Sequence, residues 1–234
     1  MIKFENTEVF GMKAAIRGMR NPMNSWNKSD SGMCETIPIL CKDCTFKKEN
    51  EKEECTNQTV DSFLIGTNDC KLMKSLIKAG TDHSKFMRMI TVTVDITAPL
   101  YWWKEFDTYK VGTVRNSCST MHKIMSKEFE FEDFSCEHLY AKTKAVLKDV
   151  IIDLNELREM YLNGNYTSDQ KKHIWYNVIQ MLPSSYNQRA TVQLNYQVLR
   201  SIYHSDRKHH KLDEWREGFM DWIRRLPYSE LITE

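Results

Sequence analysis

An α+β fold, in which a small antiparallel or mixed sheet packs with a C-terminal half of long helices, follows from three features of the sequence. Residues 87–96 alternate, with Met87, Met89, Thr91, Thr93 and Asp95 on one side and Ile90, Val92, Val94 and Ile96 on the other, which is the period of a strand. Further on, apolar spacing becomes helical across 137–162, 168–181, 189–203 and 212–226. A length of 234 residues, 41% of them hydrophobic, is enough to bury a sizeable core. Residues 1–234 are therefore read as a single α+β domain carrying a polar, Cys-rich insertion at 29–65.

In chain order, 9–16 is mildly apolar and reads as a strand that runs into the turn formers Gly18-Met19-Arg20-Asn21-Pro22. Residues 29–57 are rich in Lys, Glu, Asp, Ser and Cys, with a charge run at 47–54, so little of this stretch can enter a core. After Gly66, the Asn68-Asp69 pair is placed to cap a helix whose Leu72, Met73, Leu76 and Ile77 keep helical spacing until Ala79-Gly80. The strand at 87–96 feeds Ala98-Pro99, where proline suits a first helical turn, and Leu100, Trp103 and Phe106 open an aromatic helix. Gly164-Asn165, Leu182-Pro183 and the turn at 205–210 separate the later helices.

Charge and composition exclude several classes. The 33 basic and 32 acidic side chains leave a net charge of +1, without the broad basic footprint of a nucleic-acid binder, so no nucleic-acid partner is expected. No stretch reaches the roughly 18 apolar residues of a membrane span, and Met1 to Phe10 lacks the pattern of a secretory signal, so the chain reads as cytoplasmic and free of membrane. Seven cysteines fit reduced thiols or a metal site better than a disulfide framework. Four of them, Cys34, Cys41, Cys44 and Cys55, share the insertion, and the Cys41-Lys42-Asp43-Cys44 gap lets two thiolates grip one structural zinc. The alternative is a variable loop that collects cysteines without a metal.

Three polar constellations stand out. Arg17, Arg20, Asn24, Ser25, Trp26 and Lys28 put guanidinium groups, amide donors and an indole in one loop, either for a phosphorylated ligand or as an ordinary surface turn. From Thr113 to His122 come hydroxyls, an amide, an arginine and a thiol; if a helix starts there and continues to Met125, its free N–H groups make a phosphate or oxyanion site, or else Asn116 or Ser117 simply caps it. Cys118 is read as a buried structural thiol rather than a nucleophile. His204, Asp206, Arg207, Lys208, His209 and His210 form a charged turn that reads as solvated, and His209-His210 is a weak metal signal.

In order and spacing, 72–227 resembles the flavin-dependent thymidylate synthases. That family has a helix ending in Gly and a His-containing turn, then a strand, a helix and the signature Arg-His-Arg-x-x-Ser-x-Asn-x-x-Ser-x-Arg; here the corresponding places hold Ala79-Gly80, His83, 92–96 and 108–122. Its Leu-Pro, Asn-x-Arg, helix-end arginine and following histidine fall on Leu182-Pro183, Asn195-Tyr196-Gln197, Asp206-Arg207 and His210. The first triplet of the signature becomes Thr108-Tyr109-Lys110, Gln197 stands where an arginine grips nucleotide, and Asp206 aligns with the helix-end arginine, leaving Arg207 one place out of register.

The resemblance implies FAD as cofactor, a pyrimidine nucleotide (dUMP) as substrate, methylenetetrahydrofolate as one-carbon donor, NADPH as reductant, no cysteine nucleophile, and a homotetramer with sites built between subunits. By the same resemblance His83, Lys110, Asn116, Ser119, Asn195 and His210 are candidate cofactor contacts. Arg17, Arg20, Arg115, Gln197 and Arg207 are candidate substrate contacts. The expected function is that of a divergent family member; the alternatives are a catalytically inactive nucleotide-binding or sequestering protein on the same scaffold and a zinc-stabilised interaction protein.

Overall fold

The computed structural model describes residues 2–33 and 63–234. The insertion expected at 29–65 falls mostly outside the described residues, as do Cys34, Cys41, Cys44 and Cys55.

The chain opens with β1 (Lys3–Phe10) and α1 (Met12–Arg20), which corrects the single strand expected over 9–16. Met12, Ala15, Ile16 and Met19 are all buried at helical spacing, so the apolar run makes a helix face. Gly11 makes the break: its φ is +90°, and a Cβ there would lie 2.0 Å from the Met89 carbonyl oxygen. Two 3₁₀ turns, Asn21–Met23 and Trp26–Lys28, follow. Next, β2 (Gly32–Met33) pairs antiparallel with β3 (Phe63–Leu64), Gly32 opposite Leu64 and Met33 opposite Phe63.

Helix α2 (Thr67–Lys78) is capped from outside, which corrects the cap expected from Asn68-Asp69. The Asp30 carboxylate accepts from the Asn68 and Asp69 N–H groups at 2.8 and 3.0 Å, leaving the Asp69 side chain free to turn inward. There Asp69, fully buried, accepts from Arg20 Nε, Ser29 Oγ and Ser31 Oγ, each at 2.6 Å. Arg20 in turn donates to the Ser25 and Lys28 carbonyls at 3.1 and 3.0 Å.

A 3₁₀ turn, Lys85–Met89, occupies the first half of the stretch expected as strand, and β4 (Thr91–Pro99) takes the rest, with Val92, Val94, Ile96 and Ala98 buried. Pro99 ends β4 and precedes α3 (Leu100–Phe106), whose Trp102, Trp103 and Phe106 are core; Trp102 stacks on Phe106 at 5.0 Å. The Thr113–His122 region is also not the helix expected: β5 (Val114–Ser117) comes first and α4 (Thr120–Lys123) is one short turn.

Helices α5 (Ala141–Asn163) and α6 (Ser168–Met181) pack together over Leu147, Ile151, Leu154 and Val178, joined by Phe129 and Phe134. Thr167 and Gln170 form a capping box that fixes the start of α6. The helix expected over 189–203 is instead β6 (Asn187–Asn195) followed by α7 (Tyr196–His204). Gln188, Ala190, Val192 and Leu194 are buried while Arg189, Thr191 and Gln193 are exposed, the period-two pattern of a strand. After a 3₁₀ turn (Asp206–His209), a π-helical stretch (Glu214–Phe219) runs into α8 (Met220–Arg224), and α9 (Glu230–Thr233) ends the chain. The main sheet has the order β1-β4-β6-β5. The α+β class is therefore as expected.

By contacts the chain divides into two compact units. One comprises Met1–Lys3, Asp95–Thr108 and Arg115–Thr191; the other comprises Phe4–Val94, Tyr109–Val114 and Val192–Glu234. In the second, Met12, Met73, Met87, Tyr196, Trp215 and Phe219 are fully buried, and Phe4 stacks on Trp222 at 5.1 Å. Among the described residues no helix is long and apolar enough to cross a membrane.

Burial alone raises the Asp69 carboxyl, but hydrogen bonds from Ser29, Ser31 and Arg20 outweigh it and hold the group below the usual carboxylate range. Its contribution to stability is thus present above the unfolded carboxylate value and lost as pH falls through the lowered folded one. Asp69→Ala, which strands a buried guanidinium, should cost about 3–5 kcal/mol in urea unfolding and flatten the acid limb of the stability curve.

Candidate functional site

In the second unit, the segment from Tyr109 to Gly112 is held against the two ends of α7. At the near end Asn195 caps the helix, its Oδ1 accepting from the Val198 N–H at 3.0 Å, and its Nδ2 lies 3.0 Å from where a Cβ on Gly112 would sit. Beyond the far end Arg207 donates from Nε to the Tyr109 hydroxyl at 2.8 Å. The nine residues of α7 span about 13 Å, and the segment ends in a turn at Val111 and Gly112.

The Arg207 guanidinium also lies over two rings, 4.8 Å from the Trp215 centroid and 5.4 Å from that of Tyr109. Trp215 is fully buried, so these faces are largely desolvated, where a cation–π contact is worth about 1–2 kcal/mol. His210 stands edge-on to Trp215 at 6.4 Å, and its Nδ1 accepts from the Leu212 N–H at 3.1 Å, which leaves the ring Nε2 to act as donor in the neutral form. Lys110 is exposed beside this group. Arg207, Tyr109, Trp215 and His210 thus form one cation and aromatic cluster, with the exposed Lys110 next to Tyr109 in the chain.

The other candidates in this unit lie on neighbouring elements. Gln197 accepts from the buried Ser84 hydroxyl at 3.2 Å, tying α7 to the turn that carries the exposed His83. Arg17 is exposed on α1, without a hydrogen bond or ion pair to any described residue. Arg20 is consumed by its buried pairing with Asp69, so its guanidinium holds a loop together.

In the first unit, Arg115 is likewise engaged. Its Nη1 donates to both Asp107 oxygens at 2.8 and 2.7 Å, Nη2 donates to Gln188 Oε1 at 2.5 Å, and the guanidinium lies 3.9 Å above Trp103. Gln188 Nε2 in turn donates to the Cys118 carbonyl at 2.7 Å, and the Cys118 N–H donates to the Arg189 carbonyl at 2.9 Å, fastening the β5–α4 link to β6. Cys118 is exposed, not the buried thiol expected. Asn116 is exposed on β5, and Ser119 caps α4 by accepting from the His122 N–H at 3.1 Å. A four-residue helix whose first turn is so capped makes no oxyanion site. Among the described residues no group of three His, Cys, Asp or Glu side chains is placed to hold a metal.

Sequence reasoning passed over Tyr109, Trp215, Asp69 and Gln188. Tyr109 lies inside the triplet that stands in place of the signature's Arg-His-Arg, and Gln188 lies just before the stretch expected as helix, 189–203. The signal for Gln188 was the alternation of 187–195, which places it on the buried face.

The architecture is that of the flavin-dependent thymidylate synthases. The chain is similar to ThyX of Helicobacter pylori solved with FAD and dUMP, at a TM-score of 0.63 and 16% identity over 99% of this chain and 97% of that one. A second structure of that bacterium's Thymidylate Synthase X with FAD and dUMP, at 2.31 Å resolution, gives 0.62 and 12% over 100% and 96%. At such identities the likeness establishes the fold. The sequence matches no protein-family model and no curated protein.

Gly112, at φ +76°, sits where a Cβ would press on Asn195 and Val198. Gly112→Ala should therefore lower stability by about 1–2 kcal/mol and displace the segment, read as a lower melting temperature and a loss of Arg207-dependent quenching of Trp215 fluorescence.

Proposed function

We propose that this chain is a divergent flavin-dependent thymidylate synthase-like protein that binds a pyrimidine nucleotide, with dUMP as the ligand of choice and FAD as cofactor. The observation that carries this reading is the end-to-end likeness to two structures of Helicobacter pylori ThyX solved with both molecules. The local chemistry agrees: Arg207 framed by Tyr109 and Trp215, with Lys110 beside it, suits a flat ring that bears a phosphate. FAD, when bound, supplies the electron-transfer chemistry that side chains lack. The chain's part is to hold and orient: Lys110 and Arg207 neutralise phosphate, while Asn195, Asn116 and His210 offer directed hydrogen bonds.

On the same reading His83, Ser119 and Gln197 complete the contacts, a folate donates the carbon, and the working species is a homotetramer with sites made between subunits. Zinc held by Cys34, Cys41, Cys44 and Cys55 is a separate proposal for the insertion. A second reading, a nucleotide-binding protein without catalysis, is favoured by one observation: Arg20 and Arg115, two of the expected substrate contacts, are spent on Asp69 and Asp107.

The absorbance spectrum of the protein as isolated, and again after adding FAD, tests the cofactor. A bound-flavin spectrum is expected, with Lys110→Ala weakening FAD about tenfold, or about 1.4 kcal/mol. No uptake at saturating FAD removes the enzyme. Thermal stabilisation by dUMP, worth about 2.7 kcal/mol at a hundredfold excess over Kd, then decides for the non-catalytic binder, and its absence as well as that of flavin sinks both.

A further inference from the structure

We infer that helix α5 carries a self-complementary seam on which a second copy of this chain docks antiparallel, about a two-fold axis at Ile152. The seam uses none of the candidate cofactor or substrate contacts, so it stands apart from the nucleotide-binding reading.

Of the 23 residues of α5, Leu147, Ile151 and Leu154 are the buried ones, packed with Val178 of α6 and with Phe129 and Phe134. Away from that face Ala145, Lys148, Ile152, Glu156 and Glu159 are all exposed, and Ile152, at the middle of the helix, is 55% exposed. Ala145 and Lys148 lie seven and four places before Ile152, and Glu156 and Glu159 lie four and seven places after it, the spacing that keeps residues on one stripe of a helix. A stripe symmetric about its centre meets its own copy in register when the two run antiparallel. Ile152 of one copy then packs on Ile152 of the other, Lys148 faces Glu156 in both directions, and the small Ala145 leaves room beside Glu159.

Charge selects the occupant. Lys142, Lys144 and Lys148 lie in the N-terminal half of α5, and Asp149, Asp153, Glu156 and Glu159 follow in the C-terminal half; the first turn has no acidic residue and the last turn no basic one. That order opposes the helix dipole. Lys144 with Lys148, Asp149 with Asp153 and Asp153 with Glu156 are moreover like charges at neighbour spacing, which destabilise a lone helix. Lys148 lies over the Phe131 ring at 5.7 Å, and Glu159 accepts from Arg158 and Asn163. Lys142, Lys144, Asp149, Asp153 and Glu156 have no ion pair or side-chain hydrogen bond with any described residue. An antiparallel copy lays the basic half of each α5 along the acidic half of the other and opposes the two dipoles. A partner of one charge sign, such as a nucleic acid or a basic peptide, would be attracted by one half and repelled by the other.

Sedimentation of the full chain tests the seam, using Lys148→Glu, Glu156→Lys, the double variant, and an equimolar mixture of the two single variants. Positions 148 and 156 are too far apart along the helix to pair within one chain, so the exchanges report on contacts between copies. A two-fold seam joins copies in pairs, and each single variant should therefore sediment at about half the wild-type mass at equal concentration, with its helical circular dichroism unchanged. The double variant and the mixture should both recover the wild-type mass, since each again opposes unlike charges across the axis. A wild-type chain that stays monomeric at every concentration overturns the seam. Single variants that keep the wild-type mass also overturn it, as does a loss of assembly that neither the double variant nor the mixture restores. Uptake of FAD and dUMP, measured on the same samples, bears on the nucleotide-binding reading alone.

Discussion

A buried guanidinium must have its N–H groups answered, and in this protein Arg20 dictates what surrounds it. Its pairing with Asp69 draws in Ser29 and Ser31, takes the Ser25 and Lys28 carbonyls, and so joins the end of α1 to the start of α2. Asp30 completes the joint by capping α2, and Ser31 Oγ accepts from the Gly66 N–H at 2.9 Å. Along the same helix, Gly18 lets α1 lie close to the turn Lys85–Met89, since a Cβ there would be 2.8 Å from the Met89 sulfur. The same bond decides which arginines remain for a ligand, since one that is buried and satisfied has no donors to offer outward.

The site region follows a related economy. Arg115 and Arg207 each lie over a tryptophan and each hydrogen-bond to a neighbouring side chain, yet their surroundings differ. Arg115 faces a carboxylate and an amide that absorb its charge and its fork. Arg207 meets the Tyr109 hydroxyl and the faces of Tyr109 and Trp215, which fix the plane of its guanidinium group.

Much of the fold was legible in the sequence and less of the site. The helices α5 and α6 were read with small boundary shifts, because their periodicity is strong and uninterrupted, whereas the strand expected over 87–96 is a 3₁₀ turn in its first half and β4 in its second. Two failures share a cause. Residues 9–16 and 189–203 each contain a switch between strand and helix, at Gly11 and at Asn195, and averaging over such a window blends two periods into one. Gly11 reveals itself only through the carbonyl of Met89, a residue far along the chain. The same holds for Asp69: nothing local distinguishes a helix cap from a buried acceptor when the true cap, Asp30, lies in another segment. At the site, order and spacing located the turn carrying Arg207 and His210, but the aromatic partner Tyr109 was hidden because it occupies a place where a charged residue was sought.

The π-helical stretch from Glu214 to Phe219 has an evolutionary consequence. It holds one more residue per turn than an α-helix, and so sets the rotational phase between Trp215, which backs Arg207, and Trp222, which stacks on Phe4. Loss of a single residue there would restore α-helical winding and leave the two indoles in nearly the same phase, because the wider winding absorbs one residue's rotation of about 100°. Descendants of this chain can therefore lose one codon in this stretch and keep both the packed wall and the cation's aromatic seat, whereas the same loss inside the α-helical α5 would turn its two halves about 100° against each other.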